Sequence, residues 1–110
     1  MTISTTTLRN AARAIECDLW TDPDGANYLA KDGAILRRWE PEHSLADAFE
    51  LMSALDMKAE SVDGGRFIEA ELYRFRRLHR GCCDHSHDRA QDYRTAILLC
   101  ASDFGARLCQ

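Results

Sequence analysis

The 110-residue chain has room for one domain with a single core. Hydrophobic residues make up 45% of the chain, which is typical of a globular protein and excludes a disordered one. Its 18 acidic side chains against 14 basic ones give a net charge of −4, so the chain as a whole does not attract nucleic acid or an anionic membrane.

Three features of the sequence indicate where the protein works. The N-terminus has no basic segment followed by an apolar stretch, and no apolar run is long enough to span a bilayer. Five cysteines, an odd number at irregular spacing, favour free thiols over a disulfide framework. We therefore expect a cytoplasmic protein without a membrane segment.

The first half of the chain predicts a helix and a hairpin. Apolar residues at three- and four-residue spacing, behind a capping Thr7, predict an amphipathic helix over residues 7–20. Residues 26–39 then favour two short strands joined at Asp32 and Gly33, because Asp-Gly suits the positive backbone angles of a tight turn.

The second half predicts a helix, a second hairpin and a last helix. Ser44 can cap a helix over residues 44–56, and alternating residues behind "DGG" predict a hairpin over residues 58–76. Residues 76–88 are interpreted as a loop, and the capping pair of an aspartate and a glutamine begins a helix over residues 88–105.

These elements together predict an α+β fold in one domain spanning residues 1–110. Their order is α-β-β-α-β-β-α, with a small antiparallel sheet packed against helices as an α-β-α sandwich. One face of the long strand carries Phe67, Tyr73 and Phe75, which would be costly to leave in water. We therefore expect helices on both faces of the sheet, or a face kept for a partner such as a second copy.

Residues 37–105 resemble the phage ABA sandwich domain family, a group of small phage and prophage proteins. The resemblance lies in the tryptophan before a proline turn in "RRWEPEHS" and the acidic helix "SLADAFELMSAL". The hairpin "KAESVDGGRFIEAEL" and the last helix "DYRTAILLCASDF" follow in the same order. It implies an α-β-α sandwich of phage or prophage origin, and it assigns no catalytic residue.

The segment "HRGCCDHSHD", residues 79–88, departs from that family pattern and is rich in metal ligands. His79 and Cys82, joined by His85 or His87, form the least awkward zinc set, although no Cys-x-x-Cys pair is present. We favour a solvated loop that needs no cofactor, with a zinc site as the alternative.

A catalytic centre is not expected from this segment. Cys83 and His85 could form a nucleophilic pair near the start of a helix. No orienting third group or oxyanion donor can be identified in the sequence, so we predict that the protein is not an enzyme.

Charged residues indicate a binding function. The arginines of "RFRRLHR" alternate with aromatic rings and could hold a nucleic-acid strand, but the acidic chain argues against it. We predict binding to a host or defence protein, as an inhibitor. The predicted partner-binding residues are Glu42, Asp47, Glu50, Arg74, Arg76 and Arg77. The alternative is a metal- or nucleic-acid-binding accessory protein that uses residues 74–88.

Overall fold

A computed structural model describes residues 3–86 and 88–108. Within these ranges the helices are α1 (Thr5–Ala14), α2 (Leu45–Ala54) and α3 (Arg89–Arg107). The strands are β1 (Asp18–Thr21), β2 (Asn27–Lys31), β3 (Ala34–Arg38), β4 (Lys58–Val62), β5 (Phe67–Arg74) and β6 (Arg77–Asp84). They form two antiparallel sheets, β1-β2-β3 and β4-β5-β6.

The predicted α+β class is confirmed, with β1 and β6 as additional strands. None of the described helices is long and apolar enough to cross a bilayer.

Helix caps explain where the three helices begin. Ser44 and Asp88 cap α2 and α3 as predicted, and each side chain accepts a hydrogen bond from the amide three residues on. The first helix begins earlier than predicted, because Ser4 is its cap and accepts from the amide of Thr7 at 3.1 Å. Thr7 therefore lies inside the first turn.

The first additional strand, β1, occupies residues that the sequence assigned to the end of a helix over 7–20. Glu16 adopts a φ of 60°, and the amides of Glu16 and Cys17 donate back to carbonyls of the last helical turn. Glycine is the usual residue at this left-handed position. Asp56, with a φ of 53°, ends α2 in the same way. An acidic residue thus stands where a glycine would have signalled the helix end.

The second additional strand, β6, corrects the interpretation of residues 76–88 as a loop. Its pairing with β5 is continuous from Arg77 to Asp84. The positions that face the helices carry His79, Gly81 and Cys83, and this mixture has no apolar alternation to indicate a strand.

Helix α3 packs against the inner face of the β4-β5-β6 sheet on one side and against α1 and α2 on the other. Two glycines allow very close contact. A Cβ atom on Gly81 would clash with the carbonyl oxygen of Ala96 and the amide nitrogen of Cys100. A Cβ atom on Gly105 would clash with the carbonyl of Asn10 in α1. The backbones of β6, α3 and α1 therefore lie in direct contact.

The outer face of the same sheet is less well covered. Tyr73 and Leu78 are neighbours across β5 and β6 and are 66% and 44% exposed. Between this pair and the other end of the sheet lie Glu69 and Glu71, both partly exposed. Self-association through this face stays a prediction.

The Gly81→Ala variant should be destabilised by about 3 kcal/mol, because its methyl group would push α3 away from β6. Gly25→Ala is the control, since Gly25 has a φ of 89° but no atom within 4 Å of a new Cβ, and it should lose only about 1 kcal/mol. Urea denaturation measures both. Equal losses would contradict the close contact between β6 and α3.

Candidate functional site

The four residues of the predicted zinc set are not brought together. His79 and Cys82 lie on opposite faces of β6, since His79 is buried and Cys82 is exposed. His85 lies six residues beyond His79, about 20 Å away at about 3.3 Å per residue in extended chain. His87 lies outside the described residues. One ion therefore cannot bind His79, Cys82 and His85 together.

His79 has a different role, which is to connect β6 to α3. Its Nδ1 lies 2.8 Å from Oδ2 of Asp103, and its ring meets Phe104 edge-on with centroids 5.2 Å apart. Arg107 lies on the next turn, and its Nε is 3.5 Å from the same carboxylate oxygen. The hydrogen bond with Asp103 and the aromatic contact with Phe104 thus fix the imidazole.

Cys83 and His85 are not arranged as nucleophile and base. The Cys83 thiol donates weakly to Asp92, with Sγ 3.9 Å from Oδ1, rather than to the imidazole. Burial, followed by the negative charges of Asp92 and Asp84, raises the pKa of Cys83 above its ordinary value. The thiol therefore stays protonated at neutral pH and is not activated for attack.

Asp92 is a buried carboxylate that holds the connection between β6 and α3. It accepts hydrogen bonds from the amide of Ser86 at 2.8 Å and from its hydroxyl at 2.6 Å. Burial alone would raise the pKa of Asp92, but these bonds, with the positive charges of His85 and Arg89, hold it below its ordinary value. The carboxylate is thus ionised at neutral pH, and it stabilises the segment between β6 and α3 through its bonds with Ser86.

The predicted acidic binding residues are partly used inside the molecule. Arg37 on β3 donates to Asp47 at 2.9 Å and to Glu50 at 2.8 Å, which ties α2 to the first sheet. Asp47 also accepts from the amide of Glu40 at 2.8 Å. Glu42 lies nearby, and its backbone carbonyl accepts from Arg94 of α3 at 3.0 Å. Asp47 in particular has little capacity left for a partner.

An acidic cluster that the sequence did not indicate lies beside these residues. Possible ligand atoms of Glu40, Glu42 and His43 lie within 4.8 Å of one another. Glu40 is already satisfied, because the amide of Asn27 donates to it at 3.1 Å and Arg38 lies 3.8 Å away. The fold therefore accounts for the cluster without a cation.

Arg74, Arg76 and Arg77 do come together, at the turn between β5 and β6. Arg74 pairs with Arg77, which leaves Phe75 and Arg76 as a two-residue turn. We refer to residues 74–77 as the hairpin tip. Phe75 and Arg76 have φ values of 52° and 62°, a left-handed conformation that Asn and Gly normally supply. Phe75 is 84% exposed, more than any other large hydrophobic residue in the described ranges.

Contacts at the base of the hairpin tip hold it in place. The Arg74 guanidinium donates to the carbonyl of Leu55 at 3.1 Å, and one face of the Phe75 ring stacks on Phe104 at 6.2 Å between centroids. In the described part of the chain, neither Arg76 nor Arg77 has a side-chain hydrogen bond or ion pair. The tip therefore presents an exposed ring beside two unpaired guanidinium groups.

Comparison with known proteins identifies no relative. No family model, no curated protein and no solved structure matches the chain. The resemblance to the phage ABA sandwich domain family therefore stays a prediction.

The Asp92→Asn variant should lose about 2 kcal/mol of stability at neutral pH, since an amide cannot accept both bonds from Ser86 as a carboxylate does. The lowered pKa of Asp92 stabilises the fold above the ordinary value of 3.8 and ceases to do so as the pH falls through the folded-state pKa. The deficit should therefore shrink below about pH 4. Urea denaturation of the variant, the wild type and Asp84→Asn, an exposed control, measures this. A deficit independent of pH would contradict the prediction.

Arg76→Gly should stabilise the protein by about 1 kcal/mol, because glycine adopts the left-handed conformation without a Cβ penalty. Arg77→Gly makes the same chemical change one residue later, in β6, and should destabilise by about 1 kcal/mol. The difference between their thermal midpoints tests the strain in the turn. Equal effects of the two changes would show that the turn is not strained.

Proposed function

We propose that the protein is a non-enzymatic binding module that contacts a partner protein through the hairpin tip. The observation that carries this proposal is the conformation of Phe75. Its large apolar side chain is 84% exposed, and its backbone is in the left-handed region. Left-handed backbone costs a residue with a Cβ about 1 kcal/mol, and an Asn-Gly turn would close the same hairpin without it. Strain that folding does not require is typical of functional positions.

The side chains at the tip favour an acidic surface with an apolar recess as the partner. Aromatic residues and arginine dominate the residues that contribute most to protein–protein affinity. Phe75 would enter the recess, and Arg76 and Arg77 would pair with carboxylates at its rim. Because Phe75 is held by Phe104 and Arg74 by Leu55, less entropy is lost on binding than from a free loop.

The charge around the tip favours a protein over nucleic acid. On the outer face of β5, Glu69 and Glu71 share Arg80, whose Nε lies 4.0 Å and 3.4 Å from their carboxylates. A hydrogen bond with Glu71, together with burial, raises the pKa of Glu69, which reflects the negative charge on this face. A nucleic-acid strand leaving the tip across β5 would meet that charge.

The biological role that we propose is inhibition of a host or defence protein by a phage or prophage protein. Its support is the resemblance over residues 37–105, whereas the partner-binding surface rests on the contacts of the hairpin tip.

A charge-reversal experiment tests the binding surface. The double variant Arg76→Glu, Arg77→Glu is compared with Arg9→Glu, Arg66→Glu, which makes the same change at exposed positions elsewhere. Partners are captured from nuclease-treated bacterial lysate and identified by quantitative mass spectrometry. The affinity of the purified partner for the wild type and for each double variant is then measured by calorimetry. We expect the tip variant to bind about 100-fold more weakly than the wild type, and the control to bind normally.

Two results would contradict the proposal. One is a partner that the tip variant binds as tightly as the wild type, with binding lost instead in Glu50→Lys. The other is salt-dependent binding of a single-stranded oligonucleotide that the tip variant loses, which would favour the nucleic-acid alternative.

A further inference from the structure

A cavity of about 210 Å³ lies between the hairpin tip and the C-terminal turns of α3. Its walls include two phenylalanine rings, three guanidinium groups and one imidazole. The residues concerned are Phe75, Phe104, Arg74, Arg77, Arg107 and His79. Phe75 and Arg77 also belong to the proposed partner contact, but the cavity lies on the side of the Phe75 ring that faces Phe104.

The charge lining the cavity is positive, and two of its three cations are held in position. Arg74 is anchored by the carbonyl of Leu55 at 3.1 Å, and Arg107 by Asp103 at 3.5 Å. Among the described residues, no carboxylate lines the cavity. An anion entering it would therefore meet preorganised guanidinium groups, which bind carboxylates through paired hydrogen bonds.

The imidazole of His79 supplies a ring nitrogen that the fold leaves unused. The residue is only 3% exposed, its Nδ1 is engaged by Asp103, and it lines the cavity. No hydrogen bond joins its Nε2 to a described residue, and the atom keeps contact with solvent, since no buried side-chain nitrogen or oxygen in the described residues lacks a partner. A ring nitrogen of histidine donates or accepts according to the tautomer, so Nε2 can serve a ligand while Nδ1 stays bonded to Asp103.

The aromatic walls define the rest of the ligand. Phe75 and Phe104 lie with centroids 6.2 Å apart and an angle of 26° between their planes. An apolar cavity of about 150 Å³ is enough to hold a benzene ring. The 210 Å³ here therefore accommodates one ring and a carboxylate.

From these observations the geometry points to a binding site for a small arylcarboxylate. The ring packs against Phe75 and Phe104, and the carboxylate accepts from Arg77, from Arg107 and from Nε2 of His79. The site shares Phe75 and Arg77 with the proposed partner contact, but it requires no partner protein, so a small ligand tests it separately from that contact.

Titration of the isotope-labelled protein with benzoate, followed by two-dimensional NMR, tests the site. We expect saturable shifts for residues around Phe75 and Phe104, with a Kd on the order of 1 mM, as befits a ligand of so few atoms. Benzamide keeps the ring without the charge, and inorganic phosphate keeps a charge without the ring. Each should bind about tenfold more weakly or worse.

Variants then locate the benzoate. Arg77→Gln changes an exposed side chain with no partner in the described fold, so the variant should fold normally and bind about tenfold more weakly. Phe75→Ala should weaken binding by removing one wall, and Arg66→Gln, at the far end of β5, should not change it. The proposal is overturned by an absence of shifts at about 20 mM benzoate, by benzamide or phosphate binding equally well, or by an unchanged Kd in Arg77→Gln.

Discussion

The rest of the structure depends on how closely the last helix, α3, approaches its neighbours. Gly81 brings β6 against the backbone of α3, and Gly105 brings α3 against the backbone of α1. These contacts fix α3 in the middle of the molecule. They also decide where Phe104, on the last turns of α3, lies relative to the hairpin tip. The stacked rings, the buried imidazole and the cavity follow from that placement.

Three carboxylates of this acidic chain connect elements of the fold to one another. Asp47 ties α2 to β3, Asp92 holds the connection from β6 to α3, and Asp103 ties His79 to α3. At the hairpin tip, in contrast, Arg76 and Arg77 have no such role in the described structure. The net charge of −4 therefore does not describe the surface available for binding, which depends on where each charge lies.

The sequence predicted the α+β class, the caps of α2 and α3, and the turn at Asp32 and Gly33 that joins β2 to β3, because each has a local signal. It missed β1 because Glu16 ends the first helix without a glycine, and it missed β6 because His79 and Gly81 interrupt the alternation. Only the packing of His79 and Gly81 against α3 identifies these two residues as inward-facing. For the site, the arginines were visible in sequence, but the exposure of Phe75 was not. A turn of Phe and Arg carries no turn signal, and only the pairing of β5 with β6 reveals it.

The central position of α3 also has a consequence for how the protein is made. In the described part of the chain, the six strands and the other two helices precede α3, so they leave the ribosome before it does. Until α3 follows, Ile68, Ala70 and Leu72 have no helix to cover them, and the hairpin of β5 and β6 exposes an apolar face. The core is therefore completed only after α3 has been synthesised. The nascent chain depends on α3 to cover apolar surface that would otherwise favour aggregation.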